Sequence, residues 1–181
     1  MIRKGQTSGD TAPHPRGPAR DRPAPQDDRA AGQLTAYLHR HIPLAGAMQA
    51  AVQRVTAAEV VLRLPLAPNL NHRATAFGGS LAAAAILAAW TLLNARLERA
   101  GSAARLVIQR HRIDYERPVT GEFTAHAFLE PAADWERFVH TLARRRRARI
   151  CVACEIVQAG AVAARFAGDF VALTHAPQAP D

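Results

Sequence analysis

The sequence predicts an α+β domain in which a curved antiparallel β-sheet wraps around one long central helix. Residues 81–93 form an almost unbroken apolar run, which is too hydrophobic on every side for a helix at a surface. Segments on both sides of it have strand-like patterns and are joined by short turns, which indicates antiparallel pairing. A helix that is apolar all round has to be enclosed, so we expect the sheet to surround it.

The segments before the central helix predict a short helix and a β-hairpin. Apolar residues recur at helical spacing until Pro43 stops the helix. Two β-type runs follow, and the link between them is short enough for a hairpin. The expected ranges are residues 33–41 for the helix and 48–55 and 59–64 for the strands.

The central helix is expected over residues 79–99, and Gly101 suits a left-handed position just after its end. Asp134 is a good N-cap for a second helix, because apolar residues follow it at i, i+3, i+4 and i+7. The remaining strands are expected over residues 106–117, 122–130, 149–158 and 162–173, the last two as a hairpin.

The chain of 181 residues is long enough for one domain and a tail. Residues 1–32 are rich in Pro, Gly, Arg and Asp, so we expect a disordered basic tail. Residues 33–175 then form the domain, and residues 176–181 a disordered C-terminus.

The formal charge of +8 favours an anionic partner, either a phosphate-bearing small molecule or a nucleic acid, although genome composition can also produce an arginine bias. Aromatic residues do not interleave with the arginines, which argues against nucleic acid. Residues 81–93 are too short and too alanine-rich for a membrane span, and no export signal is evident. We therefore expect a cytoplasmic protein that binds neither nucleic acid nor a membrane.

Cys151 and Cys154 have Cys-x-x-Cys spacing but lie in a predicted strand, where residues three apart face opposite sides. No second Cys or His pair offers metal-ligand spacing. We expect no metal and no cofactor.

Gly78 and Gly79 end a polar loop and open the central helix, so their N–H groups could bind an anion or polarise a carbonyl. The alternative is that the glycines only allow close packing. The nearby polar residues of the loop favour the functional interpretation; they are Asn69, Asn71, His72 and Thr75. Ser80 lacks the context of a nucleophile elbow, so we expect it to cap the helix or contact a ligand.

Two charged segments have two interpretations each. Asp114 and Glu116 share one face of a strand, and are either part of a solvated, charge-balanced edge or a carboxylate that activates water. The arginine run at residues 144–149 either grips phosphates or is the solvated end of a helix.

At these residues the chain resembles the hot-dog-fold thioesterases, and is most similar to the thioesterase domain often fused behind a GNAT acetyltransferase. The resemblance covers about residues 34–174. The matching segments are residues 42–45, 65–72, 75–80, 115–119 with Gly121, 133–135 and 166–173.

The resemblance implies roles for individual residues. Asn71 matches an Asn that orients water or substrate, and Gly78 and Gly79 match glycines whose N–H groups polarise the thioester carbonyl. The chain departs from the pattern at Phe77, where related thioesterases have His, and at Ile86, where they have an acid. The usual general base is therefore absent.

The resemblance implies hydrolysis of an acyl thioester of coenzyme A or acyl carrier protein by a homodimer or larger assembly. Asn71 would position water, and Asp114 or Glu116 of a partner subunit would act as base. The alternative is a non-catalytic, regulatory protein that binds the thioester. Residues expected to contact substrate are Phe77, Ser80, Arg73, Arg112, Arg145 and Arg146.

Overall fold

The computed structural model describes residues 25–131 and 133–174. The expected disorder of residues 1–24 and 176–181 lies outside the described residues. The helices are α1 (Pro25–His41), α2 (Pro43–Ala47), α3 (Gly78–Arg99) and α4 (Trp135–Arg145). The strands are β1 (Ala51–Val55), β2 (Glu59–Leu64), β3 (Arg105–Tyr115), β4 (Phe123–Phe128), β5 (Arg147–Gln158) and β6 (Ala161–Leu173).

The six strands form one antiparallel sheet in the order β1-β2-β4-β5-β6-β3. Helix α3 packs against five of them, β2 to β6. The predicted architecture, an antiparallel sheet curved around one long helix, is confirmed.

Helix α3 is the core of the fold, and 61% of its most apolar stretch is buried. By length and composition alone this helix could cross a membrane, but here the sheet encloses it. It ends as predicted, because Gly101 has a φ of 67° and its N–H donates to the Glu98 carbonyl at 3.0 Å. The Ser102 N–H donates to the Leu97 carbonyl at 2.9 Å, which completes a Schellman motif.

The structure corrects the start of the chain. Helix α1 begins at Pro25 rather than at residue 33, so residues 25–32, expected in the tail, are helical. Ala31 and Leu38 of this helix are buried in the core. Burial against the rest of the domain outweighs the polar composition that predicted disorder.

The expected strand over residues 48–55 is shorter and begins at Ala51, because the turn that follows α2 occupies residues 48 and 49. Gln49 has a φ of 54°, a left-handed conformation that a strand does not allow. Helix α1 also covers the open side of β1, where the Val52 N–H donates to Thr35 Oγ1 at 2.8 Å.

Helix α4 begins at the predicted cap, because Asp134 Oδ1 accepts a hydrogen bond from the Arg137 N–H at 2.8 Å. The Trp135 ring lies 4.3 Å from the guanidinium carbon of Arg96, near the end of α3. The two cysteines diverge as predicted, since Cys151 is exposed and Cys154 is buried.

The sheet has two ends that correspond to the two ends of α3. Leu173 pairs with both Arg105 and Arg147, so these residues lie together where α3 ends and β3 begins. Tyr115, the last residue of β3, pairs with Ala164 at the opposite end of the strands. The 11 residues of β3 separate the two ends by about 35 Å at about 3.3 Å per residue.

Candidate functional site

The amino end of α3 presents free backbone donors. Leu81 is the first residue whose N–H is bonded to a carbonyl, that of Phe77, at 3.1 Å. The N–H groups of Gly78, Gly79 and Ser80 have no acceptor within residues 25–131 and 133–174. Phe77 occupies the N-cap position without a side-chain cap, so of the two roles expected for Ser80 the capping role is wrong and the ligand contact stays a prediction. The helix dipole adds positive potential here, which suits an anion or a polarised carbonyl oxygen.

Two aromatic rings lie against the two glycines. The Tyr115 hydroxyl donates to the Gly78 carbonyl at 2.9 Å, and its ring would lie 3.4 Å from a Cβ at position 78. The Phe77 ring lies over Gly79 so closely that a Cβ there would collide with it. Both side chains are exposed, Phe77 at 57% and Tyr115 at 52%. The free N–H groups are therefore framed by two accessible aromatic side chains.

Asn71 holds together the loop that precedes α3. Its Nδ2 donates to Thr75 Oγ1 at 2.8 Å and to the Ala76 carbonyl at 3.4 Å. Its Oδ1 accepts from the N–H groups of Arg73 at 2.8 Å and Thr75 at 3.3 Å. The two N–H groups and the oxygen of this amide therefore form all of these hydrogen bonds within the loop. The expected role of Asn71 in positioning water stays a prediction.

Asn69 anchors the same loop to the core. Its Nδ2 donates to the carbonyls of Met48 at 3.1 Å and Pro65 at 2.8 Å, while its side chain is buried. Its backbone carbonyl accepts from the Phe77 N–H at 2.7 Å. Asn69 therefore fixes the position from which α3 starts. The sequence had pointed to it only as a polar neighbour of the glycines.

An apolar cavity of about 270 Å³ runs beside the first turns of α3. It begins one helical turn after Gly79, and every side chain that lines it is apolar. Leu44, 55% exposed, lies at its rim. Its walls include Ala83, Ile86, Leu87 and Trp90 of α3 with Ile108 and Phe170 of the sheet. Ile86, which stands where related thioesterases have an acid, thus makes a hydrocarbon surface.

The structure does not bring Asp114 to the amino end of α3 within one subunit. Asp114 is opposite Arg165 on the outer face of the sheet, whereas Tyr115 lies on the inner face toward α3. Asp114 Oδ1 is 3.1 Å from Arg112 Nη2, and Glu116 Oε1 is 2.9 Å from Arg165 Nε. These ion pairs agree with the alternative interpretation, a charge-balanced edge.

The expected substrate contacts fall into three places. Phe77 and Ser80 belong to the amino end of α3, and Arg73 lies exposed in the loop before it. Arg112 is on the outer face with Asp114. Arg145 and Arg146 lie at the opposite end of the sheet, where α4 ends.

Two residues of β3 that sequence reasoning missed face the inner side with α3. Partial burial raises the pKa of the Tyr115 phenol above its usual value, and the protonated hydroxyl donates to the Gly78 carbonyl. His111 is exposed, and its ring stacks on the buried Phe166 with ring centroids 5.5 Å apart. Strand alternation could have found both, because His111, Ile113 and Tyr115 share the face opposite Asp114.

Within the described ranges, no group of three His, Cys, Asp or Glu side chains could hold a metal ion.

Comparison with known proteins relates this geometry to one family. The family model described as Putative thioesterase (YiiD_C) matches residues 31–174. A solved structure from Chlorobaculum tepidum, of unknown function, has a TM-score of 0.75 and 24% identity, covering 82% of this chain and 97% of that one.

Two further structures carry thioesterase names. One from Shewanella oneidensis, called a putative thioesterase, has a TM-score of 0.73 and 25% identity, covering 81% of this chain and 99% of that one. One from Pseudomonas aeruginosa, called a probable thioesterase, has a TM-score of 0.69 and 21% identity, covering 84% of this chain and 98% of that one. The hot-dog thioesterase architecture expected from the sequence is shown by these similarities.

Proposed function

Because the chain belongs to this thioesterase family, we propose that it hydrolyses an acyl thioester of coenzyme A or of acyl carrier protein. One observation supports the proposal above others. Free N–H groups at the start of α3 lie one helical turn from a cavity whose lining is entirely apolar. That pairing matches a thioester, which joins a polarisable carbonyl to a hydrocarbon chain.

The N–H groups of Gly78 and Gly79 would hold the thioester carbonyl oxygen. As water attacks, negative charge develops on this oxygen, and one such donor contributes about 2.7–4 kcal/mol to transition-state stabilisation. The Tyr115 hydroxyl donates a hydrogen bond to the carbonyl of Gly78, in the same first turn of α3 as these N–H groups. Tyr115 therefore orients these donors, and we place it in the site as a positioning residue.

The acyl chain would lie along α3 in the apolar cavity. Each buried methylene contributes about 0.8 kcal/mol to binding through the hydrophobic effect. The cavity of about 270 Å³ follows α3 from Ala83 to Trp90, a length of about 10 Å at 1.5 Å per residue. A chain of medium length would fill it.

The attacking water needs a base, which we propose comes from a second copy of the chain. The sheet has edges at β1 and β3, and α1 covers β1, so β3 is the edge open to a partner. If β3 pairs with β3 of a second copy, the two sheets become one, and each residue of β3 stays on the face that it has in a single subunit. Asp114 would then still lie on the outer face. His111 faces inward from the same strand, so it is the better candidate for the base, of the residue type that most often serves in this role.

A second candidate is a protein that binds the thioester without hydrolysing it. Within the described residues, no carboxylate or imidazole side chain is hydrogen-bonded to Gly78 or Gly79 in a single subunit. This observation favours a binding or regulatory role wherever a second copy does not supply a base.

Thiol release from a series of acyl-CoA and acyl carrier protein thioesters, together with calorimetry on non-hydrolysable thioether analogues, tests both candidates. We expect turnover with a maximum at medium chain length. Tight binding of the thioethers without thiol release would replace the hydrolase by the binding protein. If the protein neither binds nor hydrolyses any of them, both proposals are wrong.

A further inference from the structure

Two adjoining surface cavities lie at the end of the sheet farthest from the amino end of α3. One, of about 460 Å³, lies between the end of α4 and the start of β5, and Thr141, Arg145, Arg147 and Arg149 line it. The other, of about 340 Å³, is lined by Arg137, His140, Thr141, Arg144 and Arg145. Both volumes fall within the range of about 300–1,000 Å³ typical of small-molecule sites. The two cavities share Thr141 and Arg145.

The charged side chains that line these two cavities are all arginines, so their charge is positive. No carboxylate is among the side chains that line either cavity. Across residues 25–131 and 133–174, none of their arginines forms an ion pair. Like charges that line the same cavity repel one another, and a bound anion would reduce this repulsion.

The helix dipole of α4 explains the position of only some of the arginines that line the two cavities. Arg144 and Arg145 are in the last turn of α4, where a cation is favourable. Arg137 is in the first turn, where a cation is unfavourable, and Arg147 and Arg149 belong to β5. The arginines therefore converge on the cavities from two elements, without a common local cause.

The turn between α4 and β5 adds a related observation. Arg146 has a φ of 56°, a left-handed conformation that favours glycine. Arg146 itself lines neither cavity, but its left-handed backbone connects Arg145 at the end of α4 to Arg147 at the start of β5.

We propose that the paired cavities are an anion site for a ligand that carries two phosphate groups. A guanidinium matches the geometry of phosphate oxygens and donates two hydrogen bonds to them. One phosphate would lie between Arg145, Arg147 and Arg149, and the second would lie across Arg145, toward Arg137 and Arg144. The Thr141 hydroxyl stands between the two positions and can donate to either.

The ligand has two possible sources with this shared chemistry. One is a free metabolite that contains a pyrophosphate. The other is the phosphorylated adenosine part of coenzyme A, held by a neighbouring subunit. Because about 35 Å of sheet separates this site from the amino end of α3, the site does not depend on the proposed hydrolysis.

Calorimetric titration of the full chain with pyrophosphate at low ionic strength tests the site. The test variant is R145Q/R147Q/R149Q, and the matched control, R29Q/R40Q/R99Q, removes the same charge from exposed arginines of α1 and α3. We expect the test variant to weaken binding at least tenfold and the control less than twofold. Equal weakening in both variants, or no binding to the unmodified chain at 1 mM pyrophosphate, would overturn the proposal.

A single substitution tests the same site in case the triple variant does not fold. Thr141→Glu places a carboxylate between the two cavities, and we expect it to abolish pyrophosphate binding while leaving the melting temperature within a few degrees. Unchanged binding in this variant also overturns the proposal.

A second set of measurements distinguishes the two possible ligands, coenzyme A and a free pyrophosphate compound. If coenzyme A is the ligand, 3′,5′-ADP binds with the same dependence on the three arginines and R145Q/R147Q/R149Q raises the KM for acyl-CoA. If a free pyrophosphate compound is the ligand, that KM stays constant and 3′,5′-ADP does not compete with pyrophosphate. Either result supports the anion site.

Discussion

Gly78 offers a way to remove one backbone donor from α3 without removing the helix. It is the first helical residue, where proline is well tolerated, and Phe77 before it has the extended conformation that proline requires. We expect Gly78→Pro to lower kcat by about 10²–10³-fold, because one N–H that stabilises the oxyanion is lost. Steady-state hydrolysis of a medium-chain acyl-CoA measures this.

Gly78→Ala is the matched control, since it keeps the N–H and its Cβ meets the Tyr115 ring at an ordinary 3.4 Å. We expect it to retain activity within about threefold, a change of about 0.7 kcal/mol at 1.4 kcal/mol per factor of ten. Equal loss in both variants would mean that the effect is steric and that the Gly78 N–H is not a donor in the reaction.

Tyr115→Phe tests whether the phenol orients the first turn of α3. The substitution removes the hydrogen bond to the Gly78 carbonyl and leaves the ring in place. A hydrogen bond of this kind contributes about 0.5–1.5 kcal/mol, so we expect kcat to fall about 2–10-fold with little change in KM. Tyr37→Phe is the control, because that exposed tyrosine belongs to α1. A loss confined to KM would instead make Tyr115 a wall of the substrate site.

At the scale of residues, the sequence predicted the donors of the site but not their surroundings. Paired glycines at a helix start indicate free N–H groups from local geometry alone, and these are present at Gly78 and Gly79. The roles of Asn71 and Tyr115 depend on hydrogen bonds that a sequence does not show. Asp114 looked suitable by residue type, but only the pairing of β3 with β6 shows which face it occupies.

At the scale of elements, the apolar cavity beside α3 predicts how the proposed hydrolase would select the length of the acyl chain. Ala83→Phe places a ring in the cavity of about 270 Å³. We expect a shift of the preferred substrate toward shorter acyl chains, seen as a larger rise in KM for medium chains than for acetyl-CoA. Ile86→Leu conserves volume in the same wall and should leave the preference unchanged. An unshifted profile in Ala83→Phe would place the acyl chain elsewhere.

The strands, α3 and α4 could be predicted because each has a strong local signal. Alternation, all-round hydrophobicity and the Asp134 cap fix them within a few residues. Helix α1 could not be placed in full, because its first half is polar and is held by contacts of its apolar residues with the core. Local composition carries no information about such contacts.

At the scale of the whole molecule, the proposal requires two copies that share a site. If one copy supplies the carbonyl donors and the other His111, then Gly78→Pro and His111→Ala each lose most of the activity but complement each other. An equal mixture, exchanged into mixed dimers, should regain about a quarter of normal activity, because half of the dimers have one intact site of two. No recovery in mixed dimers confirmed by light scattering would place both roles in one subunit and remove His111 of a second copy as the base.

Infrared difference spectroscopy directly measures whether the amino end of α3 polarises a thioester carbonyl, as we propose. The sample is the full chain with a slowly hydrolysed acyl-CoA, or with a 2-oxoalkyl-CoA in which a methylene separates the sulfur from the carbonyl; in either ligand the carbonyl is ¹³C-labelled. We expect the carbonyl stretch of the bound ligand to shift to lower frequency than in water, and we expect Gly78→Pro to reduce the shift while Gly78→Ala keeps it. If the carbonyl frequency of the ligand bound to the unmodified protein equals that in water, the amino end of α3 does not polarise the carbonyl.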